Sequence, residues 1–196
     1  MAMSNSSLAA GKKRKRSTKV VGATKSLEDD ISVLETKATE SPKHYNKIAT
    51  LLALACPPHA KSQPNKDAIV ALCRIFTRLF AGGQFRNHGS LSEGEQLVQN
   101  WLEERYAEFV DFLLRALRHQ THIMPDEALT YLMKLAQSEI CCQGHHMWTD
   151  GVFYQVLGIV LRFQDPNENS MDHFVNEYFT KYDDVKLNTL QILVYV

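Results

Sequence analysis

Cys141-Cys142-Gln143-Gly144-His145-His146 is the stretch of this sequence that gathers residue types able to ligate a metal. Thiolates and imidazoles hold zinc when four of them converge on a tetrahedron, and Cys141 with His145, or Cys142 with His146, has the i, i+4 spacing that shares a helix face. Gly144 interrupts the helix such a pair requires, and no second Cys or His pair elsewhere completes the set. Adjacent ligands on a helix also diverge by about 100°. The expectation is two cysteines at a helix end, followed by histidines near its negative pole, and no metal. Nucleophilic and phosphate chemistry lack their motifs as well: there is no Gly-x-Ser-x-Gly, no Walker glycine loop, no Gly-x-Gly-x-x-Gly and no His-Glu-x-x-His. Glu103-Glu104 and Asp183-Asp184 are paired carboxylates. Neighbours of this kind in a helix or cap point in different directions, whereas a general acid and base must face one substrate. No catalytic residue and no cofactor are expected.

The run Lys12-Lys13-Arg14-Lys15-Arg16 carries the remaining chemistry, since five adjacent cations on an extended chain have the form of a nuclear import signal. Residues 1–25 contain seven Lys and Arg and no acid, which leaves 15 of the 22 basic residues against all 22 acids in residues 26–196. An acidic body is poorly suited to wrapping nucleic acid, so any direct RNA contact is assigned to the tail. Cys56, Cys73, Cys141 and Cys142 form no disulfide framework. No apolar run follows the basic cluster as in a secretory signal, and none approaches the roughly 18 to 20 residues of a membrane span. A soluble intracellular protein is expected, with no membrane partner.

These residues must be positioned by helices, because apolar residues recur at helical spacing and strand-like alternation is nowhere sustained. With 196 residues, 44% of them hydrophobic, the chain can bury a real core. Residues 1–25 are expected to be a disordered tail and residues 26–196 a helical domain. Ser26 and Asp29 read as a capping box for a first short helix with Leu27, Ile31 and Leu34; Ser41-Pro42 opens a second, with Tyr45, Ile48, Leu51, Leu52 and Ala55 on one face. The two are expected to run nearly into one another. Asn65 caps a helix that Gly82-Gly83 ends, and Ser92 with Glu95 caps a long one whose buried face includes Leu97, Val98, Trp101, Phe109, Phe112, Leu113 and Leu117. Pro125 opens the next, with Leu129, Leu132, Leu135 and Ile140 inward. Further helices are expected at about 150–163, from Ser170 with Phe174, Val175, Tyr178 and Phe179, and from an Asp183 or Asp184 cap through Leu187, Leu190 and Leu193. Helices joined by short loops without an identical repeat fit an all-α, HEAT-like or armadillo-like stack, a compact bundle being the alternative. The sequence closes on Val194-Tyr195-Val196 inside an apolar helix with no polar capping repeat, so the repeat domain is expected to be truncated at its C-terminal end.

From His44-Tyr45-Asn46-Lys47-Ile48 onward the sequence resembles the nucleolar complex protein four family. Trp101-Leu102 with Arg105-Tyr106 and Phe109, then Glu127-Ala128-Leu129 with Leu132 and Leu135, then Trp148 with Phe153, look like successive helices of that family. The most specific series is Phe174, Tyr178, Tyr182-Asp183-Asp184, Lys186 and Thr189-Leu190-Gln191. The resemblance covers about residues 26–196 in order, and the domain that the family shares with CCAAT-binding-factor relatives belongs to a C-terminal half. It implies a helical-repeat factor of the small-subunit processome, acting in pre-18S rRNA maturation in the nucleolus and pairing with nucleolar protein fourteen in a pre-ribosomal particle. The aromatic markers have a simple role as core. Tyr182, Asp183, Asp184 and Lys186 are expected either to contact a partner or to cap a helix, where an aspartate oxygen accepts a free amide. A stand-alone nuclear RNA-binding protein or helical-repeat adaptor is the rival reading.

Overall fold

The computed structural model describes residues 30–56, 63–86, 91–118, 123–162 and 170–195, and every regular element among them is helical. The run Lys12 to Arg16 and the Ser26–Asp29 pair lie outside the described residues. Helix α1 covers residues 30–40. Ser41 then accepts from the Lys43 amide and Pro42 opens a single 3-10 turn, Pro42–His44, so α2 (Asn46–Ala55) starts as a separate helix. The Ser-Pro cap serves that turn, and α2 begins without a side-chain cap of its own. Glu35 ties α1 to the third helix through Arg74 at 3.5 Å and Arg78 at 3.3 Å.

Cap chemistry sets the starts of the long helices. Asn65 Oδ1 accepts from Ala68 N at 3.0 Å at the head of α3 (Lys66–Ala81), which ends where Gly83 holds φ at 75°. The Ser92–Glu95 box starts α4 (Glu93–Leu117): Glu95 N donates to Ser92 Oγ, and Ser92 N donates to Glu95 Oε2 at 2.9 Å. Pro125 occupies the first turn of α5 (Pro125–Gln143), and Gly144, at φ 106°, stops it. The helix expected at about 150–163 is α7 (Val152–Arg162), and one further turn of helix, α6 (Met147–Asp150), precedes it across Gly151. α8 (Ser170–Phe174) widens into a π-helical turn, Val175–Phe179, closed by Thr180 N donating to Val175 O at 3.0 Å. α9 (Asp183–Tyr195) follows.

These helices form two rows. α2, α4 and α7 make one, while α3, α5 and α8 make the other; α2 pairs with α3, α4 with α5, and α7 with both α5 and α8. The principal contacts therefore join elements close in sequence, which is the arrangement of a stack. Between the rows, Phe76 meets Tyr106 edge-on at 5.2 Å and stacks on Phe109 at 5.8 Å, and Trp148 stands against Phe153 at 4.7 Å. The family-marker aromatics Phe109, Trp148 and Phe153 are thus core, as expected, while Trp101 is half-buried. Leu97 and Val98, expected inside, are 70% and 41% exposed. Residues 92–98 are exposed on every side, so the first turns of α4 stand clear of the other described helices. No helix among the described residues is long and apolar enough to cross a membrane.

Candidate protein-docking groove

Helix α5 buries Ala128, Leu129, Leu132, Leu135 and Ala136 between the rows, which turns Thr130, Lys134, Gln137 and Cys141 outward at helical spacing. This polar stripe separates two hollows. One, of about 300 Å³, lies between α5, Trp148, Phe153 and the start of α9; its floor is Met133, Ala136, Ile140 and Val185, and its rim carries Tyr178, Tyr182 and Asp184. The other, of about 400 Å³, lies between α5 and the end of α3, with Thr77, Phe80, Arg86, Ser138 and Cys142 around it. Lys134, Gln137 and Cys141 line both, so the two hollows share this ridge as a wall and lie side by side on one face of the stack, called the groove face or groove below. A pocket of this size, apolar below and polar at the edge, suits side chains of another molecule.

The rim has a charge pattern. Lys134 and Arg86 are exposed and make no ion pair among the described residues. Asp184 Oδ1 at the far wall accepts from Val185 N at 2.8 Å, which satisfies one free amide of the first turn of α9. Burial raises the Tyr178 phenol above its ordinary value, against which a hydrogen bond with Thr130 works.

A buried carboxylate fixes the groove wall from behind. Glu139, 4% exposed, accepts from Tyr106 Oη at 2.7 Å and from Val152 N at 2.8 Å, joining α4, α5 and the first turn of α7. Burial raises its carboxyl above the ordinary value, and the two hydrogen bonds oppose that rise. A Cβ on Gly151 would stand 2.6 Å from Glu139 Oε2 and 2.6 Å from Met147 O, so only glycine lets the α6–α7 corner close over this carboxylate. That corner sets Trp148 and Phe153 in the wall of the first hollow. Sequence reasoning passed over Glu139; its signal is an acid at i+7 from Leu132 and i+3 from Ala136, on the apolar stripe of its own helix.

Of the residues singled out in the sequence, Tyr182 and Asp184 meet in the first hollow, Tyr182 being 52% exposed, while Asp183 and Lys186 lie exposed outside it. The first carbonyl of α9 to accept is that of Tyr182, from Lys186 N at 3.0 Å, so the aspartates sit within the first turn of the helix. Cys141 is exposed in the groove, Cys142 is half-buried, and His145 and His146 occupy an exposed turn. Among the described residues no three His, Cys, Asp or Glu side chains gather as a metal site.

A protein-family model described as Nucleolar complex protein 4-like, TPR repeats, matches residues 22–196. Comparison with curated proteins and with solved structures gives no match.

Proposed function

The chain belongs to the nucleolar complex protein 4-like family of TPR repeats, and on that premise we propose that it is a non-enzymatic scaffold of ribosome biogenesis, acting in small-subunit assembly and pre-18S rRNA processing in the nucleolus. The observation that carries this reading is the family match over residues 22–196, supported by a two-row helical stack with a formed groove and by a sequence without a catalytic motif. Repeat stacks act by presenting an extended surface to other proteins. The groove is that surface, with Tyr182 and Asp184 in direct contact with the partner and Asp183 and Lys186 at its margin. Nucleolar protein fourteen is the proposed partner, within a pre-ribosomal particle. Residues 26–196 serve as the repeat domain, and residues 1–25 as the tail in which Lys12, Lys13, Arg14, Lys15 and Arg16 direct nuclear import and touch rRNA without sequence preference.

Affinity purification of the tagged full chain from nuclease-treated nuclear extract tests the reading. Small-subunit assembly proteins, nucleolar protein fourteen among them, are the expected co-purifying species. A folded chain that recovers none of them overturns it. Replacing the five tail cations with Ala is expected to abolish nuclear accumulation while leaving that recovery in extract unchanged.

A further inference from the structure

We infer that the groove across α5 receives an acidic peptide segment with an apolar anchor: a large apolar side chain in the hollow beneath Tyr182, and a carboxylate against Lys134 and Arg86. The inference rests on the docking role proposed above and adds the chemistry of what docks. Three observations carry it. The first hollow is about 300 Å³, floored by Met133, Ile140 and Val185, which is ample room for a large apolar side chain. Lys134 borders both hollows and Arg86 borders the second, and neither is paired among the described residues. Residues 26–196 hold 15 cations against 22 acids, yet the lining of the two hollows reverses that balance, with Lys134 and Arg86 against the single acid Asp184. Charges placed in this way select a partner of opposite sign and speed its arrival.

Trp148 lines the first hollow, so its ring reports on what enters. Nucleic acid fits the groove less well: among the described residues its bases find no exposed aromatic platform between Lys134 and Arg86.

The test is a selection from a library of short random peptides against the immobilised full chain and, in parallel, against the full chain carrying Lys134→Glu and Arg86→Glu. Both positions are exposed, and unchanged circular dichroism and melting verify that the variant folds. Peptides enriched on the natural chain are expected to combine a large apolar residue with nearby Asp or Glu, and the variant should bind them at least about tenfold more weakly. Replacing the peptide's apolar residue with Ser should cost a similar factor. In a Trp101→Phe chain, where Trp148 is the remaining indole, the bound peptide should shift the emission. Enrichment that survives the charge reversal would mean capture by the basic tail and overturns the inference. So does enrichment of basic peptides, or displacement of bound peptide by oligouridylate as readily as by unlabelled peptide. The selection needs no nuclear extract: success here with failure of the purification would retain the groove chemistry and remove the ribosomal role, and the reverse would retain the role and move its docking site elsewhere.

Discussion

Helices α3 and α9 both carry large aliphatic residues at helical spacing, yet they differ in what happens to them. α3 buries Ile69, Leu72, Ile75, Phe76 and Leu79 between the two rows, whereas α9 leaves Leu187, Leu190 and Leu193 exposed and turns Val185, Thr189 and Ile192 inward. The same pattern in sequence thus yields core in one place and open surface in another. Periodicity states which residues share a face of their own helix; whether that face is covered depends on the neighbours, which are set by tertiary packing.

Truncating the core on the α3 side has the largest expected effect. Phe109→Ala, at the stack with Phe76, is expected to cost about 3–5 kcal/mol, measured by urea unfolding. Next comes Glu139→Gln, which keeps the shape but leaves an amide where the carboxylate accepted from both Tyr106 and Val152. The expected loss near neutral pH is about 1–3 kcal/mol. Its pH dependence has a definite sign. Burial raises the folded Glu139 carboxyl above its ordinary 4.5, so the folded chain holds the proton more tightly than the unfolded one. The proton-linked part of its contribution is therefore full below the ordinary value and is lost as pH rises through the raised folded value, while the two accepted hydrogen bonds remain. Compared with Glu139→Gln, the natural chain should lose stability over that interval, and parallel melts across acid to neutral pH measure the difference.

Smaller effects sharpen the contrast. Ser92→Ala removes an acceptor of the α4 capping box and should cost about 1 kcal/mol in a thermal melt. Leu190→Ser on α9, 48% exposed, should change stability by no more than about 0.5 kcal/mol. A loss as large as that of Phe109→Ala would show that the α9 face is covered after all.

Much of the fold was legible because its signals are local. Asn65, the Ser92–Glu95 pair, Pro125 and the Gly83 and Gly144 stops act on backbone groups a few residues away, and each falls at the helix end where its chemistry puts it. What was not legible depends on partners distant in sequence. Leu97 and Val98 fit the inward stripe of α4 but lie in first turns that no described helix covers. Gly151 divides α6 from α7 because of a carboxylate on α5, and the widening at Val175–Phe179 carries no residue signature of its own. The candidate site shows the same division. Tyr182 and Asp184 were visible as an aromatic and an acid at a helix start, and Cys141 as an unusual side chain. Lys134 and Arg86, 48 positions apart, become one rim only when α3 and α5 pack.

The groove side of the stack is thus proposed to meet the assembly partner, and the opposite row to stay clear of it. Photo-cross-linking in nuclear extract tests it most directly, with a reactive side chain placed in the full chain at Gln137, between the hollows, or at Glu103, exposed on α4. Cross-links to small-subunit assembly proteins from Gln137, absent from Glu103, are the predicted result. Equal cross-linking from both positions, or none from Gln137 in a chain that still enters the particle, would contradict it.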